Sequence, residues 1–480
     1  MARFVSTAIP YVNAKPHIGH ALEYVQADAY VRALRLAGED VFFLTGTDDN
    51  ALKNVQAAEA AGMPVRDYVA ENAGHFVELD RRLNIAYDDF IRTSADPRHR
   101  AGVEKLWRAT NPKDIYKKNY RGFYCVGCEE FKTEKNLING ECPEHPGKLL
   151  EEIKEENYFF RLSAYQDTLL KLIESDELKI VPESRKNEIL SFIRGGLEDF
   201  SVSRTAARAK GWGIPVPDDP DQYLYVWYDA LANYITALGY ATGADTYQKY
   251  WVSAEQKVHM IGKGINRFHT VYWPAMLLSA NVPLPTEVFV HGYVTSGGQK
   301  MSKSVGNVID PFEMINRYGP DATRYLLLRH VNPTEDTDVT WERLDEWYTA
   351  NLTNGLGNLV ARVMKLSEQY LPKPIEEPNI QVTYPAEITH YIQEFRFNEA
   401  LDFIWAYIQK EDQNITEREP FRVVKENKEK GTQMIYEFVQ ELYLIAHFFI
   451  PFMPETSEMI KKAVLANKKP ENLFQRIDKR

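Results

Sequence analysis

The first fifty residues constrain the fold most. "RFVSTAIPY" (3–11) reads as a buried strand, and "VFFLTG" (41–46) as a second. Between them "ALEYVQADAYVRALRLAGED" places Leu22, Val25, Ala29, Ala33 and Leu36 at helical spacing, with Gly38 where a helix stop belongs. Strand, helix, strand is a βαβ unit, so the chain is committed to a parallel sheet and an α/β fold. A second block, 223–310, has the same texture: "QYLYVWY", "KVHMIG", the helix-like "GINRFHTVYWPAMLLSA", then "EVFVHGYV".

The intervening sequence differs. Residues 113–155 are short, charged and cysteine-containing segments, and 156–212 look mixed and largely helical. From Asp310 onward helix follows helix, broken by the Pro-rich "LPKPIEEPNIQVTYP" (371–385). At 480 residues the chain exceeds one hydrophobic core, and two to four domains are expected. No apolar run reaches membrane-spanning length. "MARFVSTAIP" lacks the layout of a signal peptide, so a cytoplasmic protein is expected. The net charge of −11 advertises no global basic surface, so any RNA partner must be met by local patches.

Three motifs bear chemistry. In "PHIGH", His17 and His20 flank Gly19 where the first strand turns into its helix. A helix start at the carboxyl edge of a parallel sheet presents unpaired N–H groups and positive potential, a ready phosphate site. On these residues alone, that reading and a plain turn with two satisfied surface histidines fit equally. "GGQKMSKSVGN" (297–307) sets Lys300 and Lys303, with Ser302 and Ser304, on a glycine-rich loop before Asp310-Pro311, an N-cap followed by Pro at the first helical position. A mobile cationic loop suits chemistry that builds negative charge briefly on a polyphosphate. Basic loops are usually just solvated, but this order of residues together with "PHIGH" leaves that reading little room. Third, Cys125-x2-Cys128 and Cys142-x2-His145 use every cysteine in the chain at zinc-knuckle spacing. Three thiolates and an imidazole make a closed, structural site.

"PHIGH" and "KMSKS" together resemble the signature of class I aminoacyl-tRNA synthetases. "PYVNAKPHIGHALE", "VFFLTGTD", "YCVGCE", "YVWYDALANY", "FHTVYWPAML" and "NGLGNLVAR" look like the methionyl-tRNA synthetase family, over nearly the whole chain. The resemblance implies activation of L-methionine by Mg2+-ATP to methionyl-adenylate and pyrophosphate, then transfer of methionyl to the 3′ end of tRNA(Met). It implies catalytic roles for His17, His20, Lys300 and Lys303, and an ATP site of Pro16, His17, Gly19, His20, Gly262, His291, Lys300, Met301, Ser302 and Lys303. The implied methionine site is Ile9, Tyr11, Asp48, Trp227, Ala230, Leu231, Tyr234, Ile265, His269 and Trp273. Asp48 would accept the ammonium, the aromatic rings would pack the thioether, and the polar tips of Tyr234 and His269 would read the sulfur. A structural Zn2+ on Cys125, Cys128, Cys142 and His145 is implied as well.

The implied architecture is a Rossmann-like parallel-sheet catalytic domain, a zinc-knuckle connective insertion and an all-α anticodon-binding bundle. The catalytic domain takes residues 1–112 and 223–305, split by the insertion at 113–222 with its knuckle at 125–145. A stem-contact region at 306–345 follows the KMSKS loop, and the helical domain spans 346–480. The insertion is too short for the hydrolytic editing domains of the leucine, isoleucine and valine enzymes. Asn358 and Arg362, four apart on one helix, fall where the family reads the anticodon. Phe421 stands where the family usually stacks a tryptophan, and a buried core aromatic is an equal reading. After "FQRIDKR" no appended OB-type domain is seen, so a monomer is expected.

Two departures stand out. The family usually reads "DEHG" where this chain has Asp48-Asp49-Asn50-Ala51, and "GKDI" where it has Gly262-Lys263-Gly264-Ile265. The second removes a carboxylate that helps hold the ribose, a loss of about 1.5–3 kcal/mol. Two alternatives follow: a related transferase that adenylates a small acid without tRNA, and a catalytically silent tRNA-binding relative.

Overall fold

A computed structural model describes residues 2–127, 130–132, 137–143, 147, 149–300, 308–377 and 384–478. The chain forms two compact units, one of Met1–Pro16, Glu39–Glu78 and Tyr87–His291, the other of His17–Gly38, Leu79–Ala86 and Gly292–Arg480.

The first unit is built on a six-stranded sheet. Its strands are β1 (Ala2–Thr7), β2 (Asp40–Thr47), β3 (Asp89–Arg92), β4 (Lys179–Val181), β5 (Gln256–Gly262) and β6 (Glu287–His291). They lie in the order β3-β2-β1-β5-β6-β4, every pairing parallel. In the central strands successive side chains are buried, as in Phe4-Val5 and Val288-Phe289-Val290, which marks a sheet covered on both faces. The chain passes from β1 to β2 through α1 (Ile18–Leu36), stopped at Gly38 with φ +82°. β3 leads into α2 (Pro97–Ala109), capped by Asp96. Strand order reverses between β1 and β5, so the carboxyl ends of those two strands mark the topological switch point.

Two expectations change. "QYLYVWY" does not join the parallel sheet. Asp219–Leu224 pairs antiparallel with Ser203–Thr205 and Pro215–Val216, and the chain then turns into α3 (Val226–Leu231). The polar "DPDQ" start cannot be covered on both faces as a parallel strand requires. Conversely, 156–212 is not simply helical, because Lys179–Val181 enters the main sheet as its edge strand β4. Three residues are too few to show a period.

The insertion forms a four-stranded antiparallel sheet in the order Glu130–Lys132, Ile115–Cys125, Glu151–Phe160, Phe200–Ser201. Cys125 ends its long strand and Cys142 follows an Ile138–Glu141 bridge; both are buried. Cys128 and His145 lie outside the described residues.

In the second unit helices predominate: Pro311–Tyr318, α4 (Pro320–His330), Trp341–Trp347, α5 (Asn358–Tyr370), Ala386–Gln393, α6 (Phe397–Arg418), Pro420–Glu426, Lys428–Phe448 and Pro454–Ala466. Asp310 caps the first of these, accepting the Phe312 N–H at 2.7 Å. Arg324 of α4 is fully buried. It donates from Nη2 to Asp28 at 2.7 Å and to the Pro451 carbonyl at 2.8 Å, from Nε to the Phe452 carbonyl at 2.8 Å, and from Nη1 to the Leu83 carbonyl at 3.1 Å. Asp28, on α1, also accepts Arg32 Nε and the Ala86 N–H. Asp80 is buried nearby in the charge field of Asp28, and neither of its oxygens has a partner among the described residues. Burial first, and the Asp28 charge second, hold its carboxyl well above the usual range.

Arg324→Met is expected to destabilise the fold by about 3–5 kcal/mol, because it takes from the buried Asp28 one of its two guanidinium partners and leaves three carbonyls without their donor. A raised folded pKa contributes stability that is complete below the unfolded value, about 3.9, and lost as pH climbs towards the folded one. Asp80→Asn should therefore gain on the parent in Tm as pH rises from 5 to 8. A Tm difference that stays constant over that range contradicts the assignment.

Candidate active site

Around the switch point the first unit assembles the residues expected for methionine. Past β1 the chain runs through Ile9 to Tyr11, which forms a parallel bridge with Asp48 just past β2, fastened by the Asp48 N–H to the Pro10 carbonyl at 2.9 Å. Asp48 is 2% exposed, and one of its oxygens accepts the Asn50 N–H at 3.0 Å. The Tyr11 ring meets Trp227 of α3 edge-on at 6.1 Å, and Trp227 lies edge-on to His269 at 6.4 Å. Tyr234 packs against both His269 and Trp273. Ile265, half-buried, follows β5, while Ala230 and Leu231 lie buried on α3. Residues scattered from 11 to 273 thus form one chain of ring contacts, in which Trp227, Tyr234, His269 and Trp273 are all buried.

The protonation of this cluster follows from its hydrogen bonds. His269 Nδ1 lies 3.0 Å from the Ile265 carbonyl and must donate to it, so Nε2 is an acceptor and takes the Tyr234 O–H at 2.7 Å. Burial pushes the His269 pKa down to about 4, so the ring is neutral at pH 7. The two polar tips therefore satisfy each other, and only Tyr234 retains a proton able to turn towards a sulfur. His259 on β5 was not foreseen. It is fully buried, packs against the Tyr234 ring at 4.0 Å with the planes tilted by 39°, and meets Ser6 Oγ through Nδ1 at 2.8 Å. Burial, with His269 and Lys257 adding to it, pushes its pKa well down. Phe268 was also missed, although it lies flat on Trp227 at 3.8 Å. Its place in "RFHTVYW", beside His269, was the available signal.

A buried polar network supports the same elements. Asn50 Nδ2 donates to Asp229 of α3 at 2.7 Å, the other Asp229 oxygen meets His99 Nε2 of α2 at 2.5 Å, and His99 Nδ1 meets Thr236 Oγ1 at 2.9 Å. Asp49 accepts Thr47 and Ser94 hydroxyls and the Arg92 guanidinium; burial raises its pKa against those partners. Asn266 is 1% exposed, and neither atom of its side-chain amide has a partner among the described residues. Gly264 is exposed.

The remaining expected nucleotide residues take these positions. Gly262 ends β5 opposite His291 at the end of β6; a Cβ at Gly262 would stand 3.3 Å from the His291 ring, so glycine keeps that edge open. Pro16 is buried. His17 is the N-cap of α1: its Nδ1 accepts the Gly19 N–H at 3.1 Å, while His20 Nδ1 accepts the His17 N–H at 3.1 Å. The rings stack at 3.8 Å. With both Nδ1 atoms accepting, each neutral ring keeps its proton on Nε2, the donor a phosphate oxygen requires. The Lys300 backbone pairs with Thr295. Met301, Ser302, Lys303 and Ser304 lie outside the described residues. In the helical region Asn358 is exposed and Phe421 half-buried, while Arg362 is held by Asp412 of α6.

A parallel sheet with a switch point, and in the chain a histidine-capped helix following its first strand, is the pattern of a nucleotide-binding α/β enzyme. The family described as "tRNA synthetases class I (M)" matches residues 3–152 and 147–364, and the chain belongs to that family. Its similar relatives include the "Methionine--tRNA ligase" of Caldanaerobacter subterraneus subsp. tengcongensis, 43% identical over 94% of this chain and 72% of that protein. That of Thermotoga maritima is 39% identical over 98% and 76%. Among solved structures, Mycobacterium tuberculosis methionyl-tRNA synthetase in complex with methionyl-adenylate superposes with a TM-score of 0.88 at 34% identity, covering 99% of this chain and 98% of that one.

Tyr234→Phe removes the movable proton of the Tyr234–His269 pair and leaves His269 Nε2 without its donor. The loss of about 1 kcal/mol should raise KM for methionine about fivefold and leave KM for ATP unchanged. Because His269 titrates near 4, KM for methionine should stay flat from pH 6 to 8; a break near 6.5 contradicts the neutral assignment.

Proposed function

We propose that this chain is a methionine–tRNA ligase: it activates L-methionine with ATP to methionyl-adenylate and pyrophosphate, then transfers methionyl to the 3′ end of tRNA(Met). The observation that supports this best is the buried aromatic cluster beside Asp48 at the switch point, in a chain similar along almost its whole length to enzymes of that name. Methionine would enter with its ammonium on Asp48 and its thioether among Tyr11, Trp227, Tyr234 and Trp273. Contacts of sulfur with aromatic rings are worth about 0.3–1.5 kcal/mol each. Two neutral imidazoles, His259 and His269, add no positive charge to repel that ammonium.

Attack of the methionine carboxylate on the α-phosphorus needs no enzyme nucleophile; positioning and charge stabilisation suffice. In this reading His17 and His20 donate to phosphate oxygens, Lys300 and Lys303 stabilise the departing pyrophosphate, and Pro16, Gly19, Gly262, His291, Met301 and Ser302 line the nucleotide. Magnesium arriving with ATP would neutralise phosphate charge. Asn358, Arg362 and Phe421 would meet the anticodon, and the enzyme would act in the cytoplasm. Among the described residues no helix is long and apolar enough to cross a membrane.

Methionine-dependent ATP–pyrophosphate exchange, run against a panel of amino acids and followed by tRNA charging, tests the reading. Exchange with methionine alone plus charging is expected. Exchange without charging, or tRNA binding without exchange, would overturn it in favour of the adenylating or the silent relative. Lys303→Ala should lower exchange kcat on the order of a hundredfold with KM for methionine unchanged.

The zinc reading rests on the donor set. Cys125 and Cys142, both buried, stand at turns of a small sheet with little core of its own, which fits a closed structural site completed by Cys128 and His145. When bound, the metal would staple the insertion. About one zinc per chain is expected by elemental analysis, and Cys142→Ser should lose it and lower Tm. A metal-free parent protein of unchanged Tm contradicts this.

A further inference from the structure

The helix Leu52–Ala60 begins just past Asp48 and carries no acidic residue in its first turn; Lys53 stands there instead. A cation at that end opposes the helix's own positive pole, so its place there does nothing for the helix. The ammonium is engaged elsewhere. Lys53 Nζ lies over the Tyr11 ring, 3.5 Å from its centroid, and donates to the Gly127 carbonyl at 3.2 Å. Tyr11 is thus held between Lys53 and Trp227, which stands edge-on to it. The next residue of the same helix, Asn54, donates from Nδ2 to the Asp48 carbonyl at 2.9 Å. Because Tyr11 and Asp48 are bridge partners, two adjacent residues of one helix fasten both halves of that bridge. Gly127 follows the strand Ile115–Cys125, in which Arg208 lies over the Tyr124 ring at 4.3 Å. A few residues beyond Arg208, Trp212 donates from Nε1 to the Asp49 carbonyl at 2.8 Å, so the insertion is tied to the same loop from a second side.

We infer that Lys53 is a positioning residue for methionine: its ammonium fixes the Tyr11 ring as a wall of the amino-acid site and ties that wall to the Gly127 turn of the insertion. The inference rests on the methionine–tRNA ligase reading and adds to it a residue outside the expected site, acting through Tyr11. Three features separate this contact from a surface lysine resting on a ring. Lys53 is half-buried, and an ammonium shielded from water attracts a ring face more strongly than an exposed one. Its distance to the ring is the shortest of the cation–ring contacts among the described residues. The second contact is to a backbone carbonyl, so the ammonium is set by main chain on one side and by the ring on the other. A flexible ring facing a flexible substrate loses freedom on binding, and a ring already fixed avoids that cost.

The test compares the parent chain with Lys53→Met, Lys53→Arg, Tyr11→Leu and the double variant Lys53→Met/Tyr11→Leu. Methionine affinity is read by calorimetry without ATP, and ATP–pyrophosphate exchange gives KM for each substrate. Lys53→Met keeps the length of the side chain and removes its charge. It should weaken methionine binding about fivefold and raise KM for methionine alike, with kcat and KM for ATP within about twofold of the parent. Lys53→Arg should restore most of the affinity, since a guanidinium also lies on ring faces and donates to carbonyls. In the Tyr11→Leu background the Lys53→Met change should alter affinity by less than about twofold, because the ring it acts on is gone. Methionine affinity of Lys53→Met equal to that of the parent overturns the inference, as does a loss that is the same with and without Tyr11. A Lys53→Met variant that loses ATP and methionine affinity together, unrescued by arginine, also overturns it, because the residue would then be structural. All three outcomes leave the ligase reading intact. A parent chain that binds no methionine overturns that reading and this inference with it.

Discussion

A reversal of strand order organises the first unit. Parallel neighbours must be joined by crossovers, and crossovers of one hand laid to either side of β1 open a crevice at its carboxyl end. Ile9 and Tyr11 leave β1 there, Asp48 leaves β2, Gly262 ends β5 and His291 ends β6. Sheet register brings these positions level, and α3, which lies outside the sheet, carries Trp227 into ring contact with Tyr11.

Within the crevice, burial is set against charge. A site for an amino acid must hold one carboxylate for the ammonium and otherwise stay neutral. Desolvation keeps His259 and His269 uncharged, and the Ile265 carbonyl selects the tautomer of His269 that leaves its outer nitrogen an acceptor. The same economy accounts for the departure at Asp49-Asn50. Asp49 is absorbed by Thr47, Ser94 and Arg92, and Asn50 by Asp229, so both residues brace the loop that bears Asp48.

The second unit solves a different problem. Its helix α1 is buried over most of its length and brings Asp28 with it, and a buried carboxylate demands a partner. Arg324 supplies one and spends its remaining donors on three carbonyls from two other segments. At the helix start, His17 and His20 replace the usual serine or aspartate cap, closing a reciprocal box with ring nitrogens. A cap built of imidazoles leaves N–H donors at the helix terminus, where a carboxylate would have left negative charge.

Much was legible beforehand. The βαβ start, the Gly38 stop, the Asp310 cap and the helical second half follow from local periodicity and punctuation, because helix and strand impose periods that a sequence displays directly. The candidate-site residues could be named from motif order, since "PHIGH", "YVWYDALANY" and "RFHTVYW" keep their residues at short, fixed spacing. Less was legible where the determinant is non-local. "QYLYVWY" has the composition of a buried strand, yet only its neighbours decide that it pairs antiparallel and then coils. β4 is three residues that become a strand only by lying beside β6. Asn50, His99 and Asp229 are ordinary polar residues until folding removes water from around them and leaves them to bond one another and Thr236. The sequence by itself determined the kinds of element, their order and the chemical groups available. Tertiary structure alone decided the protonation of His269, the pairing of its tip with Tyr234 and the burial of Arg324 on Asp28, because those depend on desolvation and on distances that no local pattern encodes.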